Sequence, residues 1–94
     1  MLIGYARVSK SDGSQVLDLQ IDALIEVDVQ KDNIYSDRAS GVKEDRLGLE
    51  HCLKALREDD ILVVWKLDRL GRNLKHLISI VDELTQRKIG FKVL

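Results

Sequence analysis

Three short strings carry the residues best suited to chemistry: Arg7-Val8-Ser9, Asp45-Arg46, and Asp68-Arg69-Leu70-Gly71-Arg72. Arginine presents a rigid, permanently charged fork that binds phosphate oxygens in pairs, so Arg7, Arg46, Arg69 and Arg72 together point to a phosphate rather than a carboxylate. Four guanidinium groups gathered without acids would repel one another, which implies an anion among them for part of the working cycle. Ser9 is the candidate nucleophile. A serine hydroxyl is weak at its ordinary pKa and needs a base, a lowered pKa or strong stabilisation of the transition state. Arginines around a transferring phosphoryl group are worth on the order of 10³ to 10⁵ in rate, enough to carry most of that load. Asp68 is a candidate proton donor to the leaving oxygen if its pKa is raised, and the flanking arginines act in the opposite sense. Arg7 and Ser9 taken alone would only end a strand and open a turn; the rest of the set favours chemistry.

Other chemistries have less behind them. His51 and His76 fall on helix faces turned away from the apolar stripes, which suits surface positions better than a general base. Neither G-x-x-x-x-G-K-[ST] nor G-x-G-x-x-G occurs, so nucleotide cradling has no motif. A phosphate-accepting aspartate domain with Asp68 as acceptor would want acidic metal ligands after the first strand, where Arg7 and Ser9 stand. Metal catalysis through Asp37, Glu44, Asp45 and Asp68 is disfavoured because arginine already fills the charge-neutralising role. Cys52 sits within an apolar stripe and reads as a small core residue. No cofactor and no metal are expected.

The whole chain is nearly neutral, at -1, with 45% hydrophobic and 33% charged residues over 94 positions. That is the composition of one globular domain without low-complexity segments. Near-neutrality argues against whole-surface attraction to nucleic acid, but Lys66, Arg69, Arg72 and Lys75 stand against Asp68 alone in one short window. A concentrated basic site on an otherwise acidic body suits a specific anion. The single cysteine forms no internal disulfide, and no apolar run approaches the roughly 18 residues of a membrane span. No cleavable signal stands out, and a cytoplasmic protein is the expectation.

The elements that must position these residues follow from the apolar pattern. Leu2, Ile3, Tyr5, Ala6 and Val8 form a nearly continuous run, the mark of a central strand buried on both faces. Lys10 to Gln15 reads as a loop. Leu17, Ile21, Leu24 and Val27 fall at helical spacing with Asp18, Asp22 and Glu26 facing water. Asn33 to Asp37 is a second strand, and Arg38 to Asp45 a flexible loop ending in an acid suited to capping the next helix. Leu49, Cys52, Leu53 and Leu56 define that helix, and Ile61 to Trp65 a third strand. Lys66 to Arg72 is a strand-to-helix junction. Leu74, Leu77, Ile78, Val81 and Leu84 give the clearest helical stripe, with Asn73 as N-cap and Gly90 as the C′ residue. Phe91 begins a fourth strand. The order is βαβαβαβ, an α/β fold with a mostly parallel sheet and helices on both faces. Ligands of such sheets sit beyond the carboxyl ends of the strands, where Arg7 with Ser9, Asp37, and Asp68 with Arg69 are expected.

Tyr5-Ala6-Arg7-Val8-Ser9, then Ser40-Gly41 followed by Asp45-Arg46-x-Gly48-Leu49, then Leu67-Asp68-Arg69-Leu70-Gly71-Arg72 resemble the catalytic domain of the serine recombinases, the resolvases and DNA invertases. The resemblance runs in consistent order from Met1 to Leu94. It implies that Ser9 attacks a DNA phosphodiester, forms a phosphoserine link to the 5′ end and frees a 3′ hydroxyl, after which strands are exchanged and rejoined. Such transesterification keeps the phosphodiester's energy in the protein link and needs no ATP, in keeping with the missing nucleotide motif. By the same resemblance Arg7, Arg69 and Arg72 hold the scissile phosphate, Arg46 reaches in from the loop, and Asp68 assists near the leaving group. Gln20 matches a polar active-site position of the family, and Gln15 is a candidate for another. The implied partner is DNA, bound by a homodimer that assembles to a tetramer.

Two departures accompany the match. Leu47 replaces the proline often found after the loop arginine, which affects only the stiffness of that turn. Family members also continue into a long dimerisation helix that contacts DNA and a helix-turn-helix domain, so residues 1–94 are expected to be a catalytic-domain fragment with little recombination of its own. The competing reading is a non-catalytic truncated module that binds DNA weakly or partners a full-length subunit. A phospho-acceptor signalling domain is a third and weaker one.

Overall fold

A computed structural model describes residues 1–8, 14–38, 47–66, 70 and 74–94. Four strands and three helices alternate along the chain: β1 (Leu2–Val8), α1 (Ser14–Glu26), β2 (Ile34–Arg38), α2 (Leu47–Ala55), β3 (Ile61–Val64), α3 (Leu74–Gln86) and β4 (Gly90–Val93), with a 3-10 turn at Lys31–Asn33 leading into β2. The strands form one sheet in the order β2-β1-β3-β4, every neighbouring pair parallel. This is the α/β architecture read from the sequence, with β1 inside the sheet as its uninterrupted apolar run requires.

Side chains alternate across β1. Ala6 packs with Leu24, Val29 and Val63, and Leu17 of α1 adds to that side. Ile3 and Tyr5 face the opposite layer, where Leu49, Cys52 and Leu56 from the α2 segment meet Ile80 and Leu84 from α3. One helix therefore covers one face of the sheet and two cover the other. Leu70, fully buried in this second cluster, ties the Lys66–Arg72 junction to the body of the domain.

The helix ends differ from the expected ones in an instructive way. Gly90 opens β4, and the left-handed residue that closes α3 is Lys88, with φ 60°. The Lys88 N–H donates to the Thr85 carbonyl and the Ile89 N–H to the Leu84 carbonyl. Asp28, at φ 73°, closes α1 in the same way, with Asp28 bonding to Ile25 and Val29 to Leu24. In both cases the residue after the left-handed one is buried beside its acceptor, Val29 with Leu24 and Ile89 with Leu84. That apolar contact and the two hydrogen bonds fix the turn without a glycine.

Arg87 closes α2 from a distance: its Nη1 donates to the Leu53 carbonyl at 2.9 Å and its Nη2 to the Leu56 carbonyl at 2.7 Å. Of the other expected boundaries, α1 already contains Ser14 and Gln15, Arg38 belongs to β2, and β3 stops one residue before Trp65. Residues 10–13 and 39–46 of the two expected loops, and Asn73 as N-cap, lie outside the described residues.

Candidate active site

Arg7 sits at the carboxyl end of β1, at the point where the sheet changes direction. The chain leaves β1 for β2 on one side and β3 for β4 on the other, so the crevice between the carboxyl ends of β1 and β3 is where a ligand of such a sheet binds. Pairing of β1 with β3 ends at Tyr5 opposite Val64, whereas pairing with β2 continues to Val8 opposite Arg38. Beyond Tyr5 the side of β1 that β3 has left needs other partners.

Gln20 of α1 supplies them. Its Oε1 accepts the Arg7 N–H at 3.1 Å and its Nε2 donates to the Arg7 carbonyl at 2.9 Å. The amide behaves as one more residue of an adjacent strand, and Gln20 is fully buried, the one buried polar side chain among the described residues. A buried amide with neither bond would be costly, so the pair locks in both directions: β1 satisfies the glutamine and the glutamine fixes the main chain of Arg7.

A second polar lock lies across β1. Asp37, paired in register with Arg7, accepts the Tyr5 hydroxyl on Oδ2 at 2.7 Å. The N–H groups of Gly48 and Leu49, in the first turn of α2, donate to its Oδ1 and Oδ2 at 2.7 and 2.8 Å. A carboxylate at a helix N-terminus satisfies otherwise orphaned donors and meets the positive end of the helix dipole. The expected cap Asp45 lies outside the described residues; the carboxylate seen at this helix start comes from β2. Only glycine fits at position 48, since a Cβ there would stand 2.2 Å from the Ser36 carbonyl oxygen and 2.8 Å from Asp37 Oδ1. Leu47 opens α2, a position at which proline's missing N–H costs least, so its replacement of proline leaves the helix start intact.

Of the sequence-derived site residues, the structure joins Arg7 to Gln20, while Ser9, Arg46, Asp68, Arg69 and Arg72 lie outside the described residues. Asp37, expected only as one acid along the strand ends, is committed to Tyr5 and α2. The structural roles of Tyr5, Gly48 and Leu70 were not read from the sequence. Their signals were a strand closing in Asp37-Arg38 and a glycine two places after Arg46. Cys52 is buried as expected, and burial, with the Asp37 charge adding to it, pushes its thiol from 9.0 up to about 12. It therefore stays protonated and unreactive at neutral pH. His51 is exposed on α2, His76 half-buried on α3 and Gln15 exposed on α1. Among the described residues no three His, Cys, Asp or Glu side chains could hold a metal ion, and no helix is long and apolar enough to cross a membrane.

Residues 2–94 match the family described as "Resolvase, N terminal domain". The chain belongs to the resolvase family. This resolvase domain is 53% identical to the serine recombinase gin of Escherichia phage Mu over all 94 residues, which cover 47% of that relative. It is 48% identical to the DNA-invertase of Escherichia phage P1 over its full length and 48% of the relative. It is also 48% identical to the transposon Tn552 resolvase of Staphylococcus aureus over 91 residues, 97% of this chain and 44% of that one. The resolvase domain thus spans about half the length of the curated relatives it matches, and the family implied by its three motifs is the family it belongs to.

Proposed function

We propose that this domain is the catalytic core of a site-specific DNA recombinase, with Ser9 as nucleophile. The observation that carries the reading is the resolvase match across residues 2–94, which includes all three arginine-bearing strings. The Ser9 hydroxyl oxygen attacks the phosphorus of a DNA phosphodiester and gives its proton to water, while the leaving 3′ oxygen takes one up. The bond to the 3′ oxygen breaks, that oxygen leaves as a hydroxyl, and the 5′ end stays on the serine as a phosphodiester. The reverse attack by a 3′ hydroxyl of the exchanged strand rejoins DNA and frees the serine. Arg7, Arg46, Arg69 and Arg72 neutralise the charge that builds on the phosphoryl oxygens, and Asp68 assists at the leaving oxygen. Gln20 is a positioning residue: it holds the main chain of Arg7, two residues before the nucleophile. No nucleotide or metal is required by this scheme.

The relatives are about twice as long, and recombination is assigned to the longer protein, a homodimer that forms a tetramer on DNA through a long helix and a helix-turn-helix domain beyond the catalytic part. A second reading is a non-catalytic module that binds DNA weakly or partners a full-length subunit. A fusion of residues 1–94 to the remaining half of the phage Mu relative separates them. Incubated with nicked site DNA, the fusion should trap a covalent protein–DNA adduct, and Ser9→Ala should abolish it. Equal adduct from Ser9→Ala would remove Ser9 as the nucleophile, and no adduct from an otherwise folded fusion would favour the non-catalytic module.

A further inference from the structure

Trp65 and Lys66 follow the last residue of β3, on the crevice side of the sheet; Lys66 opens the basic window noted above, but neither residue has a role in the chemistry assigned so far. Lys66 lies two residues beyond Val64, as Arg7 lies two beyond Val64's partner Tyr5. Its side chain is exposed, and its ammonium rests over the Trp65 ring, 4.7 Å from the centroid. Arg87 and Lys88 pair with acids, Glu83 and Glu58, whereas Lys66 sits on an aromatic ring. Among the described residues Lys66 forms no ion pair and meets only the Trp65 ring.

A ring face holds a lysine near one place without neutralising it. The attraction is weaker at an exposed site than a charge-assisted hydrogen bond to a phosphate oxygen, and an ammonium acts on phosphate as a compact point charge with three donors. The chain at Lys66 is also braced from both sides, by the paired β3 before it and by the fully buried Leu70 after it. A cation so placed, parked on a flat surface at the mouth of the crevice, is set to exchange the ring for an anion.

We propose that Lys66 binds a phosphate of the DNA strand next to the reacting one, with the Trp65 ring as its resting place when DNA is absent. The inference rests on the recombinase reading and adds one backbone contact to it. Such a contact carries no base information; it sets where the strand lies against the crevice.

Trp65 is the sole tryptophan of the chain, so its emission reports on this exchange directly. Duplex DNA is titrated into the 94-residue chain at several salt concentrations, following both binding and tryptophan emission, for the parent, Lys66→Gln and Lys66→Arg. Each phosphate contact contributes about 0.9 to the slope of log affinity against log salt. Lys66→Gln should lower that slope by about this amount, Lys66→Arg should keep it, and the emission of the parent should change on saturation. A Lys66→Gln slope equal to the parent's, or parent emission unmoved by saturating DNA, would overturn the proposal while leaving the recombinase reading standing. A parent chain that fails to bind duplex even at low salt would overturn the Lys66 contact, while the adduct assay on the fusion decides the recombinase reading separately.

Discussion

The two edges of this sheet are tied down by different chemistry. At the amino ends of the strands the connections are closed mostly main chain to main chain. Ile61 bonds to the Met1 carbonyl, Gly90 to the Asp60 carbonyl and Asp59 to the Lys88 carbonyl. The Met1 amino group adds an ion pair with Asp60 at 3.3 Å. At the carboxyl ends, Gln20, Asp37 and Tyr5 reach from separate elements to fix particular main-chain groups and each other. Main-chain bonds survive most substitutions because every residue but proline brings the same groups. Bonds from half-buried or buried side chains survive few. Apart from Arg87 on the Leu53 and Leu56 carbonyls and the exposed Asp60 contacts at the amino edge, the side-chain bonds that depend on residue identity thus gather at the carboxyl edge, beside the proposed site.

Asp37→Ala should have the largest effect. It leaves the N–H groups of Gly48 and Leu49 and the Tyr5 hydroxyl without their acceptor, a loss of about 2–4 kcal/mol. In a domain of this size that lowers Tm by on the order of 10 °C or more. Asp60→Ala at the opposite edge, which removes the terminal ion pair and one exposed bond from the Arg57 N–H, should cost at most about 1 kcal/mol. Equal losses from the two variants in thermal melts would break the contrast between the edges.

Gln20→Leu keeps the side-chain bulk and removes both bonds to Arg7, for an expected loss of about 1–3 kcal/mol. Native-state hydrogen exchange sharpens the comparison, since the Arg7 amide should lose protection by more than global destabilisation explains. An Arg7 amide as protected as in the parent would show that the glutamine does not hold it. The smallest effect is expected at the amino edge. Lys88→Gly relieves a left-handed residue at a turn whose hydrogen bonds are all main chain, and should raise stability by about 0.5–1 kcal/mol. The check is a higher urea midpoint with an unchanged m-value.

The same contrast explains what could be read from the chain beforehand. Periodicity reports which face a residue turns to the core, so the βαβαβαβ order, the central place of β1 and the burial of Cys52 were legible, whereas the α3 stripe was only partly so: Leu84 is buried and Leu77 and Val81 half-buried, but Leu74 and Ile78 are exposed and Ile80, outside the stripe, is buried. Helix ends were less so. Gly90 was the natural choice to close α3, yet Lys88 takes the left-handed conformation because the burial of Ile89 beside Leu84 decides where the turn falls. Long-range polar contacts were not legible at all. That Asp37 caps a helix ten positions on, that Arg87 reaches the carbonyls of α2, or that Gln20 replaces a strand neighbour depends on which elements meet in space. Resemblance singled out Gln20 without saying what its amide does.

With nine residues, α2 is too short to hold itself together in water, and its two ends are finished by borrowed groups, the Asp37 carboxylate in front and the Arg87 guanidinium behind. A synthetic peptide of residues 47–55 would be a random coil. The helix leans on the rest of the fold, and the guanidinium that completes it comes from the segment just past α3, more than thirty residues downstream. Completing the far end of α2 therefore takes a residue made long after the helix itself, so on the ribosome that end stays without its Arg87 partner until position 87 has emerged.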